Sequence, residues 1–195
     1  VECVSVGGRS QRSKDALMPT PVLLTISGSL RREATNSKLL REAVRLFGDA
    51  KHIEADLNFP LYDGDIEAGD GIPAPVQALA NQITAADAVL ISTPEYNKAP
   101  SGVLKNALDW VSRTEGRPFA NKPVAVMSAA AGGTGGAAAQ EILRAFLVSF
   151  RPRVLAEPKV HLGGSGGQFD DDGYLNSDEQ LTTLSVLMQK LRAEI

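Results

Sequence analysis

The chain has 195 residues, of which 43% are apolar and 22% charged, and a formal net charge of −3. These values are typical of a globular domain and exclude wholesale disorder. The 20 Lys and Arg and 23 Asp and Glu residues form no long run of one sign, which argues against a nucleic-acid partner. Apolar runs such as Ala88–Ile91 are far shorter than the ~20 residues that span a bilayer, so we expect no membrane insertion.

A single cysteine, Cys3, excludes an intramolecular disulfide, and the two histidines His52 and His161 leave little for a metal site. We therefore expect no bound metal and a reducing compartment, the cytoplasm. Residues 1–17 show neither helical nor strand periodicity, and their positive charges lack the apolar segment of a secretory signal. We expect a poorly ordered N-terminal extension over residues 1–20, followed by one domain over residues 21–195.

From residue 21 the pattern alternates between strands and helices. The predicted strands are Val22–Ile26, His52–Asp56, Ala88–Ser92, Pro123–Ser128 and Val154–Leu162, the last interrupted by Pro158. The predicted helices are Asn36–Phe47, a segment around Val76–Ile83, Gly102–Val111, residues 137–150 and a segment around Leu181–Leu191. Residues 57–72 are predicted to form a loop, and the oxygens of Thr35, Asn36 and Ser37 to cap the first helix.

This alternation predicts a parallel α/β sheet with helices on both faces. The first, third and fourth strands are continuously apolar and should be central, whereas the alternating second strand and the proline-containing fifth should be edges. The order 2-1-3-4-5 satisfies both conditions. It is the order of a flavodoxin-like three-layer sandwich, which binds its ligand at the carboxyl ends of strands 1 and 3.

The loops at those two strand ends have the composition of a nucleotide site. Ser27–Ser37 combines small and hydroxyl residues with Arg31 and Arg32 before a helix, which fits a phosphate monoester or an ordinary capped turn. Thr93–Gly102 contains two prolines, and its backbone and Tyr96 could contact a flat heterocycle. Trp110, in the helix that follows, is predicted to be a core residue.

Two motifs in these loops, G-S-L-R-x-x-x-x-N and T-P-E-Y-N…G-V-L-K-N-A-L-D-W, resemble those of the NADPH-dependent FMN reductases, a family that includes quinone, chromate and azo reductases. The resemblance extends over residues 21–193. It implies noncovalent FMN, reduction by NADPH or NADH, a small-molecule electron acceptor and a homodimer or homotetramer. Because the flavin performs the chemistry, it implies no catalytic side chain.

The resemblance also implies roles for particular residues. Those expected to hold the FMN phosphate are Ser29, Arg31, Asn36 and Ser37. Those expected to line the isoalloxazine are Pro94, Glu95, Tyr96 and Asn97, with Ser128 and Gly132 closing its other side. The chain departs from the family pattern at Ala34, where many relatives have serine, at Lys98–Ser101, which replaces an aromatic-Ser-x-Pro segment, and at Ala138, where an arginine is common.

Two other motifs match those of different protein classes, but their positions in the chain do not fit those classes. Gly133–Ala138 fits G-x-G-x-x-A but follows the fourth strand, whereas a dinucleotide fingerprint belongs after the first. Gly163–Gly167 fits the nucleophile elbow G-x-S-x-G, yet no helix directly follows Ser165 and no histidine comes later in the chain. The functional prediction is an FMN-dependent NAD(P)H oxidoreductase with ping-pong kinetics. The alternative is a flavin-binding sensor or partner-regulating protein without physiological turnover.

Overall fold

A computed structural model describes residues 19–195. The expectation of a poorly ordered N-terminal extension therefore concerns residues that lie, except for Pro19 and Thr20, outside the described part of the chain. The strands are β1 Val22–Ser27, β2 Lys51–Glu54, β3 Ala88–Thr93, β4 Glu95–Tyr96, β5 Ala99–Pro100, β6 Pro123–Ala129, β7 Arg153–Val154 and β8 Val160–Leu162. The α-helices are α1 Thr35–Phe47, α2 Gly64–Asp70, α3 Ala74–Ala85, α4 Gly102–Val111, α5 Ala137–Leu147 and α6 Asp178–Arg192.

The main sheet is parallel and has the strand order β2-β1-β3-β6-β7, with β8 also paired to β6. This confirms the predicted order 2-1-3-4-5. The predicted fifth strand forms as two short pieces on either side of Pro158. β7 pairs with Pro123 and Val124 at the start of β6, and β8 pairs with Met127–Ala129 at its end.

Helices cover both faces of the sheet. Leu24 and Ile91 pack with α3, α4 and α5 on one face, whereas Leu23 and Leu90 pack with α1 and α6 on the other. Neighbouring residues of β1 and of β3 thus enter different clusters, as expected for strands that are buried on both faces. The arrangement leaves the carboxyl ends of β1, β3 and β6 at one edge, where three loops meet.

Three further regions of the chain differ from the prediction. Helix α2 lies within the predicted loop 57–72, where Asp63 caps it by accepting from the Asp65 N–H at 2.8 Å. None of the residues of α2 is buried, so no apolar period marks it. Strands β4 and β5 form a small antiparallel hairpin inside the loop after β3. The predicted helix 137–150 ends at Leu147 and continues as a 3₁₀ turn over Val148–Phe150.

Candidate functional site

The loop after β1 presents backbone N–H groups that have no acceptor. Helix α1 begins after Ala34, whose side chain cannot cap it, and the first helical bond runs from the Lys38 N–H to the Ala34 carbonyl. Within residues 19–195, the N–H groups of Thr35, Asn36 and Ser37 therefore remain unpaired. The prediction that these three side chains cap the helix is wrong, because they lie inside its first turn. Free N–H groups at a helix start form an anion site.

The Asn36 side chain is buried and fully engaged by two neighbouring strand ends. Its Oδ1 accepts from the Ser92 Oγ at 2.7 Å and from the Ala129 N–H at 3.0 Å. Its Nδ2 donates to the Ala129 carbonyl at 2.9 Å. The side chain thus fixes the start of α1 against the ends of β3 and β6, whereas the backbone N–H of Asn36 is unpaired within residues 19–195.

Hydroxyl groups and arginines surround the unpaired N–H groups. The Ser27 and Ser37 Oγ atoms are 3.0 Å apart, and the Ser29 Oγ accepts from the Arg31 N–H at 3.3 Å. The Arg31 guanidinium is exposed and, among residues 19–195, forms no ion pair. It is therefore available to a ligand at the start of α1.

The loop after β3 is a two-residue hairpin. Glu95 pairs with Pro100 and Tyr96 with Ala99, so that Asn97 and Lys98 form the turn. Both turn residues have positive φ, 52° and 64°, which is the geometry of a type I′ turn. Asn97 and Lys98 are exposed at the tip, and 54% of the Tyr96 surface is accessible. An aromatic side chain and backbone polar groups are therefore presented next to the loop after β1.

Ser101 and Gly28 join these two loops, and the sequence analysis assigned a role to neither. The Ser101 Oγ donates to the Gly28 carbonyl at 2.5 Å and accepts from the Leu104 N–H at 3.2 Å, which caps α4. A Cβ at Gly28 would lie 3.1 Å from the Pro94 Cδ and from the Ser101 Oγ, so the close approach favours glycine. A serine directly before a helix is an N-cap signal that could have identified Ser101.

Glu95 links the hairpin to the third loop. Its side chain is 11% exposed, its Oε2 accepts from the Ala139 N–H at 3.2 Å, and its Oε1 lies 3.4 Å from the Lys98 Nζ. The carboxylate therefore caps the start of α5, where a negative charge is stabilised by the helix dipole. The Glu95 side chain is thus engaged within the protein, so Glu95 could line the predicted ring site only through its backbone groups.

Ser128 lies beneath the glycine loop rather than at its surface. Its Oγ donates to the Gly135 carbonyl at 2.5 Å and accepts from the buried Gln140 Nε2 at 2.9 Å. A Cβ at Gly136, where φ is +86°, would lie 2.9 Å from that hydroxyl. The Ser128 side chain thus supports the loop 130–136, and Gly132 is exposed above it.

Trp110 is a core residue, as predicted. It is fully buried, its Nε1 donates to the Pro60 carbonyl at 2.8 Å, and its ring meets the Tyr62 ring edge-to-face at 5.0 Å. Asn106, on the same helix, accepts from the Tyr62 N–H at 2.8 Å. The apolar residues on the second face of α4 are therefore covered by residues 60–62 of the same chain.

The rival motifs have structural roles. Ser165 of G-x-S-x-G is 5% exposed, accepts from the Thr35 Oγ1 at 3.2 Å and begins a 3₁₀ turn of three residues, Ser165–Gly167. His52, on the edge strand, lies 2.9 Å from the Thr25 Oγ1. Within residues 19–195, no group of three or more His, Cys, Asp and Glu side chains is arranged to hold a metal ion. None of the helices described is long and apolar enough to cross a membrane.

These donors fit the two ends of a flavin mononucleotide. The three unpaired N–H groups, the serine hydroxyls and Arg31 match a phosphate monoester, while the hairpin offers the exposed Tyr96 ring and backbone polar groups that a flat ring can contact. The fold and the site thus define a flavodoxin-like nucleotide-binding protein.

Comparison with known proteins identifies the family. Residues 21–166 match the family described as NADPH-dependent FMN reductase. The chain therefore belongs to the NADPH-dependent FMN reductase family, which confirms the resemblance seen in its motifs. It is an oxidoreductase with FMN as cofactor and NAD(P)H as co-substrate.

The alignments with individual relatives cover most of this chain and nearly all of each relative. The NAD(P)H-dependent FMN reductase of Pseudomonas aeruginosa is 42% identical over 179 residues, which are 87% of this chain and 96% of that protein. The quinone reductase of Escherichia coli K12 is 36% identical over 182 residues, with the same coverage. Among solved structures, FerB, an NAD(P)H:(acceptor) oxidoreductase from Paracoccus denitrificans, has a TM-score of 0.80 at 28% identity. That match covers 89% of this chain and 96% of FerB.

Proposed function

We propose that this protein transfers hydride from NAD(P)H through FMN to quinone-like acceptors, with chromate, azo compounds and free flavin as further acceptors, by ping-pong kinetics. The observation that supports it most strongly is the uncapped start of α1, where three unpaired N–H groups adjoin Arg31. The named activities of the relatives from Pseudomonas aeruginosa and Escherichia coli point to the same chemistry.

The residues divide into those that bind and those that position. The N–H groups of Thr35–Ser37, the Ser29 and Ser37 hydroxyls and the Arg31 guanidinium are proposed to bind the phosphate. Pro94–Asn97 are proposed to line one edge of the ring through backbone groups and Tyr96, and Gly132 the other. Asn36, Glu95 and Ser128 are proposed to position these loops, because their side chains are engaged within the protein.

FMN, when bound, supplies the redox chemistry by accepting hydride from the nicotinamide and passing it on. The protein would bind the nucleotide and the acceptor in turn at one exposed face beside Tyr96. Glu95 and Lys98 are the charged groups of the hairpin, and they pair with each other at 3.4 Å. Acceptors should therefore be selected by shape and stacking, which separate similar apolar ligands by only about 1–3 kcal/mol.

Initial rates test this proposal. NADPH would be varied at several fixed concentrations of a flat quinone, and the double-reciprocal lines should be parallel. A bulkier azo acceptor should show a lower kcat/KM. Intersecting lines would show that nucleotide and acceptor bind together. Tight FMN binding without turnover would instead favour the flavin-binding sensor.

We also propose that the protein forms a homodimer or homotetramer. The apolar residues on the second face of α4 do not support an oligomer, because residues 60–62 of the same chain cover them. The support comes instead from Leu61, which is 78% exposed beside α4, and from the family resemblance. The proposed compartment is the cytoplasm, in agreement with the single cysteine.

A further inference from the structure

A groove with a volume of about 430 Å³ lies on the β2 side of the loop after β1. We call it the β2 groove. Its walls are Ser27 at the end of β1, residues 29–32, Ser37 and Arg41 on α1, and residues 54–57, which end β2 and follow it. Ser29, Arg31 and Ser37 also belong to the proposed phosphate site, whereas the other lining residues have no role there. The volume lies in the range of about 300–1,000 Å³ that small-molecule sites occupy, so the groove has room for much more than a phosphate.

The β2 groove contains three arginines and two carboxylates, which is more arginines than the single phosphate contact assigned to Arg31 uses. Arg31, Arg32 and Arg41 all line it, and all three are exposed. Within residues 19–195 none of them forms an ion pair, although Glu54 and Asp56 line the same groove. By contrast Arg45, one turn further along α1, pairs with Glu42. If Arg31 binds the flavin phosphate, Arg32 and Arg41 remain available to a second phosphate.

The carboxylates lie where α/β nucleotide sites recognise ribose. Glu54 is the last residue of β2 and is paired in register with Thr25 of β1, and Asp56 follows two residues later. In dinucleotide-binding Rossmann domains, an acidic residue about 20 positions after the phosphate loop accepts hydrogen bonds from the ribose hydroxyls of adenosine, and Glu54 and Asp56 have a similar position although this loop lacks the glycine fingerprint of those domains. The Asp56 Oδ1 accepts from the Asn58 N–H at 2.8 Å, which orients this carboxylate and leaves its Oδ2 free for a ligand.

We propose that the β2 groove binds the adenosine 5′-phosphate half of a dinucleotide. Arg32 and Arg41 bind its phosphate, and Glu54 and Asp56 accept from its ribose hydroxyls. The inference rests on the proposed function, because it places this phosphate next to that of the flavin. Two ligands of flavoenzymes carry this half with both ribose hydroxyls free: FAD, in which it is joined to the flavin phosphate, and NADH, a co-substrate. The carboxylates would repel a 2′-phosphate on the ribose, so the groove fits NADH better than NADPH.

Titration of the flavin-free protein with riboflavin, FMN and FAD, followed by flavin fluorescence, tests the FAD arm. We expect Arg41→Ala to weaken FAD about tenfold or more and FMN less than twofold, since a charge-assisted contact to the second phosphate is lost. Asp56→Asn, which can still accept from the Asn58 N–H, should weaken FAD but not FMN. Lys51→Ala is the matched control, because it removes a positive charge at the opposite end of β2.

The NADH arm uses the FMN-loaded protein. If the groove serves NADH, Arg41→Ala raises the KM for NADH about tenfold at unchanged kcat, while FAD binding is unaffected. A selective effect in either arm supports the proposal and identifies the source of the adenosine phosphate. Changes below twofold in both arms overturn it, as does an equal loss of FMN and FAD. Failure of the unaltered protein to bind FMN would contradict the proposed function itself, which separates the two claims.

Discussion

Arg31 is the side chain on which the phosphate assignment depends most. Its guanidinium is exposed beside the unpaired N–H groups of α1. A charge-assisted hydrogen bond contributes roughly 1.5–3 kcal/mol, so Arg31→Ala should weaken FMN about ten- to a hundredfold. Riboflavin, which has no phosphate, should bind almost equally well to both proteins. Fluorescence titration of the flavin-free protein measures both affinities, and equal losses for the two ligands would contradict the assignment.

His161 gives the stability of the fold a dependence on pH. Burial, together with the nearby Lys159, lowers the pKa of His161 below its ordinary value of 6.5. Its Nε2 is buried without a hydrogen-bond partner within residues 19–195. The unfolded chain therefore binds a proton to His161 at a higher pH than the folded protein does. The contribution of His161 to the free energy of unfolding is therefore fully present above pH 6.5. It is lost as the pH falls through the pKa of His161 in the folded protein.

His161→Gln should remove this contribution. We expect the free energy of unfolding of the unaltered protein to fall more steeply on acidification, below the ordinary histidine pKa, than that of the variant. Urea unfolding at a series of pH values measures the difference. Curves that stay parallel across that range would show that His161 does not contribute.

At the scale of elements, the β4–β5 hairpin stores backbone strain in its turn. Lys98 has a φ of 64°, a conformation that costs a residue with a Cβ roughly 1–2 kcal/mol. Lys98→Gly should relieve this strain. It also removes the ion pair with Glu95, which is worth about 0–1 kcal/mol at the surface. We expect a net stabilisation of up to ~1 kcal/mol in urea unfolding.

Lys98→Val is the matched opposite of that change. A β-branched residue at positive φ should destabilise the protein by about 1–3 kcal/mol and weaken FMN binding, because the hairpin lines the proposed ring site. Glycine and valine variants of equal stability would mean that the turn differs from the one described. A loss of stability without any loss of FMN affinity would remove the hairpin from the site.

The elements that could be predicted are those whose burial leaves a periodic pattern. Strands β1, β3 and β6 are buried on both faces and appear as apolar runs, and the family motifs identify the loops that follow them. Helix α2 has no buried residue, and the hairpin turn uses Asn97 and Lys98 rather than the Asn-Gly typical of such turns. Neither therefore leaves a local signal.

The direction in which a side chain points could not be predicted from the motifs either. A motif identifies Asn36 and Ser128 as residues of the site region. Only the tertiary contacts show that Asn36 bonds to Ser92 and Ala129, and that Ser128 bonds to Gly135. The two-faced apolar pattern of α4 suggested a subunit interface, but it is explained by Pro60 and Tyr62, which are distant in sequence. Whether such an apolar face is a subunit interface or is buried within the chain depends on long-range packing, which a local sequence pattern does not show.

At the scale of the whole molecule, the proposed assembly can be measured directly. Sedimentation at micromolar concentration should show a dimer or tetramer of the 20.6 kDa chain with FMN bound. Leu61 is the most exposed large apolar side chain within residues 19–195. Replacing it with a charged residue, in Leu61→Asp, should shift the equilibrium towards monomer without unfolding the protein. A stable monomer in the unaltered protein would contradict the proposed assembly.

The central claim is that three loops at the carboxyl ends of β1, β3 and β6 hold FMN where NAD(P)H can reduce it and an acceptor can reoxidise it. The most direct test is the visible absorbance of the FMN-loaded protein under anaerobic conditions. We predict that stoichiometric NADPH bleaches the flavin band and that a flat quinone, added afterwards, restores it. Bound flavin that neither NADPH nor NADH reduces, or that the quinone cannot reoxidise, would contradict the account.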